Sequence, residues 1–75
     1  MMSTETIGVG TSEDFKELES ILSKKRIDYS VYYEDYDPTP WNAVVEGSMK
    51  KIEDVLRTLD ERRIYYETTA GLPAC

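Results

Sequence analysis

The side chains of this 75-residue chain that could do chemistry gather in one stretch, Tyr32-Tyr33-Glu34-Asp35-Tyr36-Asp37-Pro38-Thr39-Pro40-Trp41. Three carboxylates this close suggest either proton transfer or a hard cation. Raising a carboxylate pKa for acid catalysis requires burial, and two prolines two residues apart mark the stretch as a solvated loop instead. A calcium loop of the EF-hand kind needs a glycine at its turn and a distal glutamate, and neither is present. The chain has no histidine, which removes the usual general base, the usual zinc ligand and the imidazole triads. Its one cysteine, Cys75, is the last residue and reads as a frayed terminal thiol. Thiol catalysis, iron–sulfur binding and an internal disulfide therefore lack the residues they need. The expectation is a non-enzyme with no cofactor and no bound metal.

Gly8-x-Gly10, placed between a strand pattern and a helix pattern, invites comparison with a phosphate loop. A dinucleotide fingerprint would need a third glycine, and a P-loop a lysine followed by serine or threonine. Glu13 and Asp14 in the following helical turn would repel phosphate. Gly10 and Gly47 are read instead as paired turns from strand to helix.

That pairing comes from the elements that must position these residues. Displaced by 37 positions, the chain matches itself: Gly10 with Gly47, Leu22 with Leu59, Arg26 with Arg63, Ile27 with Ile64 and Tyr29 with Tyr66. Residues 7–33 and 44–70 each read as strand, helix, strand, joined by a linker loop at 34–43 and followed by a tail at 71–75. Thr6–Gly10 is a short strand. Thr11 or Ser12 caps a helix whose apolar stripe is Phe15, Leu18, Ile21 and Leu22. Ile27, Tyr29, Val31 and Tyr33 alternate with polar residues as a strand does. The second unit repeats the plan, with Asn42–Glu46 as a short strand and Ser48 capping the next helix. Met49, Ile52, Val55, Leu56 and Leu59 form its stripe, a Glu53–Arg57 pair lies on its surface, and Ile64–Thr69 is the last strand. Lys24-Lys25-Arg26 and Arg62-Arg63 close the two helices.

Two right-handed strand-helix-strand units in series predict an α+β ferredoxin-like split β-α-β sandwich. It is expected to be a single domain over 1–75, with a four-stranded antiparallel sheet in the order 4-1-3-2 and both helices on one face. If Tyr29 and Tyr66 face the helices, Asp28, Ser30, Tyr32, Tyr65 and Glu67 share the open face. For the third strand, either Ala43 and Val45 or Val44 points inward.

The plan resembles in topology the ACT class of amino-acid-binding regulatory modules. That resemblance implies a ligand site at the first strand-to-helix junction, here Gly10, Thr11 and Ser12. It also resembles the RNA-recognition motif, but that family stacks bases on aromatics of the central strands, where this chain carries none. An acylphosphatase-like site would need an arginine between Gly8 and Ser12, and there is none.

The net charge is −6, and residues 1–37 hold nine acids against four bases. Such a chain repels phosphate backbones, so no direct nucleic-acid binding is expected. No apolar run approaches a membrane span, and Met1–Thr6 lacks the basic and apolar regions of a secretory signal. A cytoplasmic location is the expectation.

Six tyrosines and one tryptophan are the remaining signal. These residues bury much area with few rotors and keep a polar handle, which suits protein interfaces. The expected function is a small acidic protein–protein interaction or regulatory module. Its partner-binding residues are Tyr32, Glu34, Asp35, Tyr36, Asp37, Trp41, Tyr65 and Glu67. Its partner is another protein with a basic surface, or a second copy in a homodimer through an edge strand. A special form is an inhibitor whose carboxylates replace phosphates in a basic nucleic-acid-binding groove, in the manner of phage-type anti-defence proteins. Glu13, Asp14, Glu17, Glu19, Asp28, Glu34, Asp35 and Asp37 would supply the charge. The alternative is the ACT-like small-ligand sensor.

Overall fold

A computed structural model of the chain describes residues 2–68. The tail 71–75, Cys75 and the end of the last strand expected at Thr69 lie outside these residues.

The elements follow the order β1 (Met2–Val9), α1 (Ser12–Lys24), β2 (Asp28–Tyr33), β3 (Trp41–Ser48), α2 (Met49–Glu61) and β4 (Tyr66–Thr68). Neighbouring strands are all antiparallel, and their spatial order is β2-β3-β1-β4. This is the ferredoxin-like α+β arrangement. Among the described residues, no helix is long and apolar enough to cross a membrane.

Local chemistry explains the helix bounds. The Thr11 hydroxyl accepts from the Asp14 N–H at 3.1 Å, and the Ser48 hydroxyl accepts from the Lys51 N–H at 3.2 Å. Each satisfies one of the donors that a helix N-terminus leaves free. At the other ends both helices close with the same left-handed turn. The Ile27 N–H donates to the Leu22 carbonyl and the Arg26 N–H to that of Ser23, at 3.0 and 3.1 Å. Thirty-seven residues on, Ile64 donates to Leu59 and Arg63 to Asp60, at 2.9 and 3.0 Å. This is the Schellman pattern, and Leu22, Ile27, Leu59 and Ile64 all belong to the hydrophobic core.

Alternation decides which strand residues meet the helices. Ile7 and Val9 of β1, and Ala43 and Val45 of β3, are fully buried and join Phe15, Leu18, Ile21, Leu22, Ile52, Val55 and Leu59 in one core. Val44 therefore faces the other way. Glu5 shares the inward parity of Ile7 and is 7% exposed. Burial strips water from its carboxylate and pushes its pKa above the usual range.

Several expectations change. The central strands are the long ones, eight residues each, because each pairs along its length with the other. Trp41 opens β3, so the linker spans 34–40 and not 34–43. The last strand begins at Tyr66. Gly47 lies within β3 opposite Ser3 and forms no turn. Met49 is exposed, and Arg57 pairs with Asp54 at 2.9 Å instead of with Glu53.

Candidate functional site

The sheet face turned away from the helices is organised in rows set by strand register. Tyr32, Asn42, Gly8 and Glu67 form one row across all four strands. Ser30, Val44 and Thr6 form the next, and Asp28, Glu46 and Thr4 the third. Around the third row Thr4, Asp28, Tyr29, Ser30, Val44 and Glu46 line an open depression of about 200 Å³.

The β2–β3 loop folds back over the first row. Thr39 is 3% exposed, and its N–H donates to Asp37 Oδ1 at 3.1 Å. The Thr39 hydroxyl lies 3.4 Å from both Asp37 Oδ1 and Glu67 Oε1, so it joins the loop to β4. Asn42 is buried beside it and donates to the Pro40 carbonyl at 3.0 Å and the Thr39 carbonyl at 3.4 Å. Gly8 makes this approach possible. A Cβ there would stand 2.7 Å from Asn42 Oδ1, 2.8 Å from Thr39 Oγ1 and 3.0 Å from the Thr39 carbonyl. The glycine of Gly8-x-Gly10 that the fold demands is thus the first one, and what it admits is the protein's own loop.

Two exposed tyrosines flank this seat. The Tyr36 hydroxyl donates to Glu34 Oε1 at 2.8 Å, and the Tyr65 hydroxyl to Glu67 Oε2 at 2.7 Å. These bonds to Glu34 and Glu67, with the negative charge behind them, raise both phenol pKa values above the usual one. Each pair holds an aromatic ring beside a carboxylate on the protein surface.

Charge is divided between the two layers. The helices with the two residues that follow each, 12–26 and 49–63, contain all nine bases and eight of the fifteen acids. The seven other acids are Glu5, Asp28, Glu34, Asp35, Asp37, Glu46 and Glu67, in the strands and the loop, with no base among them. The helix layer is close to neutral, and the net charge resides in the sheet layer. Asp28 and Glu46 stand directly opposite each other on the open face.

The structure places Tyr32 and Glu67 at the two ends of one row, pairs Tyr65 with Glu67 and Tyr36 with Glu34, and carries Asp37 and the exposed Asp35 on the loop. Trp41 does not join them. It is half-buried on the helix-facing side, with ring centroids 5.7 Å from Phe15 and 4.8 Å from Tyr33. Glu13, Asp14, Glu17 and Glu19, the other acids assigned to phosphate mimicry, lie on α1 in the opposite layer. There Glu17 pairs with Arg62, and Glu19 accepts from the Tyr29 hydroxyl. Gly10, Thr11 and Ser12 are exposed, and the Thr11 hydroxyl is already used in capping α1. Sequence reasoning missed Thr39, Asn42 and Glu46. A polar Asn42 at the head of an apolar strand was the one available signal for the seat. Among the described residues, no three carboxylates converge in a way that would hold a metal ion. Comparison with protein-family models, curated proteins and solved structures finds no match to this chain.

Proposed function

We propose that this protein is a non-catalytic interaction module whose open sheet face, with the loop seated on it, docks onto a basic surface of another protein. What supports the reading is the division of charge by layer, with every base on or just after a helix and the acids of the sheet and its loop in no ion pair among the described residues. A face of one sign steers a partner of the other sign and discriminates against wrong partners. Tyr32, Tyr36 and Tyr65 add apolar area with polar tips among those acids, the composition that favours interface hot spots. A partner that normally holds nucleic acid fits this chemistry best, because the row acids Asp28, Glu46 and Glu67 can occupy its phosphate sites. The module then acts as an inhibitor of such a protein.

The test compares three chains as bait at low salt in an extract of the native host, eluted with a salt gradient. They are the wild type, Asp28→Asn/Glu46→Gln/Glu67→Gln on the open face, and Glu13→Gln/Glu53→Gln/Glu61→Gln on the helices. Both triple variants change the charge equally. The expected result is a basic protein that the wild type and the helix variant retain and the face variant holds at least about tenfold more weakly, a difference of about 1.4 kcal/mol. The captured protein is released by rising salt and by double-stranded oligonucleotide. Retention that ignores salt, or that both variants weaken equally, overturns the reading.

A further inference from the structure

The outer edge of β2 points to an interaction that does not depend on the acidic face. β2 is the end strand on its side of the sheet. Its helix-facing residues Val31 and Tyr33 are 51% and 54% exposed, although Ile7 and Val9 of β1 and Ala43 and Val45 of β3, which share that facing, are buried. Exposed edges are commonly blunted by lysine, proline or a bulge. β2 reads Asp-Tyr-Ser-Val-Tyr-Tyr and contains neither residue, and its pairing with β3 runs without a skipped position.

Backbone direction can be read from the ladder. The Glu34 N–H donates to the Pro40 carbonyl at 3.0 Å, one step beyond the Tyr33–Trp41 partners. In an antiparallel strand, residues whose backbone groups point to one neighbour alternate with residues whose groups point away. Glu34, Tyr32, Ser30 and Asp28 therefore turn their groups toward β3. Tyr29, Val31 and Tyr33 turn theirs outward.

We propose that β2 pairs antiparallel with β2 of a second copy, about a two-fold axis through Val31. Only a register centred on a residue keeps like faces together, because a one-step slip exchanges the faces of every side chain. Centred on Val31, the outward-directed residues meet one another: Val31 with Val31 of the second copy, and Tyr29 with Tyr33 of the second copy. Three pairs of this kind exchange about six backbone hydrogen bonds. On the helix side they align Tyr29, Val31 and Tyr33 of both chains in one apolar ridge. On the open side Ser30 meets Tyr32, and Asp28 meets Glu34 only at the two ends. The axis is normal to the sheet, so the eight-stranded sheet carries both helix layers on one side and both acidic faces on the other. The end contacts are like-charged, and salt therefore tightens this contact, whereas it weakens docking on a basic partner.

The interface is a single strand pair, at the weak end of specific contacts. Sedimentation equilibrium of the full chain tests it. The mass of the wild type is expected to rise from 8.6 kDa to twice that value with concentration, at lower concentration in high salt. Val31→Lys stays monomeric with an unchanged circular dichroism spectrum. In a Cys75→Ser background, mild oxidation joins Val31→Cys chains into a covalent dimer, because only residue 31 meets its own copy at disulfide distance. Ser30→Cys in the same background does not cross-link. A wild type that remains monomeric to about 0.5 mM, a Val31→Lys dimer, or cross-linking of Ser30→Cys as fast as Val31→Cys overturns the proposal.

Discussion

Arg26 and Arg63, 37 residues apart, both adopt the left-handed backbone conformation, with φ of 58° and 59°. Each occupies the helix-closing position at which glycine is the usual residue. A side chain with a Cβ is held there at a cost of about 1–2 kcal/mol, offset by the paired hydrogen bonds and by the burial of Ile27 and Ile64.

Replacing either arginine by glycine relieves that strain, though glycine gains some freedom in the unfolded chain. Arg26→Gly and Arg63→Gly are each expected to stabilise the protein by roughly 0.5–1 kcal/mol. They belong to different helix ends, so their effects should add. Urea denaturation of the single and double variants checks this. A destabilised Arg26→Gly would mean that its side chain contributes more than the strain removes.

Gly8 is expected to be the least replaceable glycine among those described. Gly8→Ala drives a methyl group into Asn42 and the Thr39 backbone, and should destabilise by about 1–3 kcal/mol. Gly10→Ala and Gly47→Ala should be milder, since their nearest neighbours lie at 3.9 and 3.8 Å. Chemical denaturation of the three variants gives the order.

Asp28 and Glu46 face each other across β2 and β3 with like charge. Directly opposed like charges destabilise a sheet. Asp28→Asn should therefore raise stability by roughly 0.2–1 kcal/mol, with the gain shrinking as salt screens the pair. The same substitution should weaken binding of a basic partner. Thermal unfolding at low and high salt, beside a binding titration, separates the two effects. Stability lost to function would show as opposite signs in the two measurements.

Glu5 makes stability depend on pH in the direction opposite to that of an ion-paired carboxylate. Its folded pKa is raised by desolvation, so the folded state binds its proton more tightly than the unfolded state. The contribution is fully present below the ordinary carboxylate pKa and is lost as pH rises through the folded value. Glu5→Gln should flatten that decline and leave the protein more stable at neutral pH. Denaturation curves for both proteins from acid to neutral pH test it. A variant that falls in parallel with the wild type would remove Glu5 as the cause.

The order of elements was legible in the residues because its causes are local. Thr11 and Ser48 mark helix starts, and the stripes Phe15–Leu22 and Ile52–Leu59 mark the helix faces, through contacts three or four residues apart. The 37-residue spacing recurs in the helix bounds and in the paired left-handed arginines. Alternation also placed Asp28, Ser30, Tyr32, Tyr65 and Glu67 on the open side, given the inward facing of Tyr29 and Tyr66. Tertiary structure alone decided the rest. Gly8, Thr39, Asn42 and Glu67 meet through strand register across as many as 59 positions, and no local pattern encodes such a meeting. The acids looked concentrated in the first half of the chain. Folding sorted them differently, because each strand-helix-strand unit sends its helix to one layer and its strands to the other. The bases all lie on or just after helices, so that sorting left the net charge on the sheet.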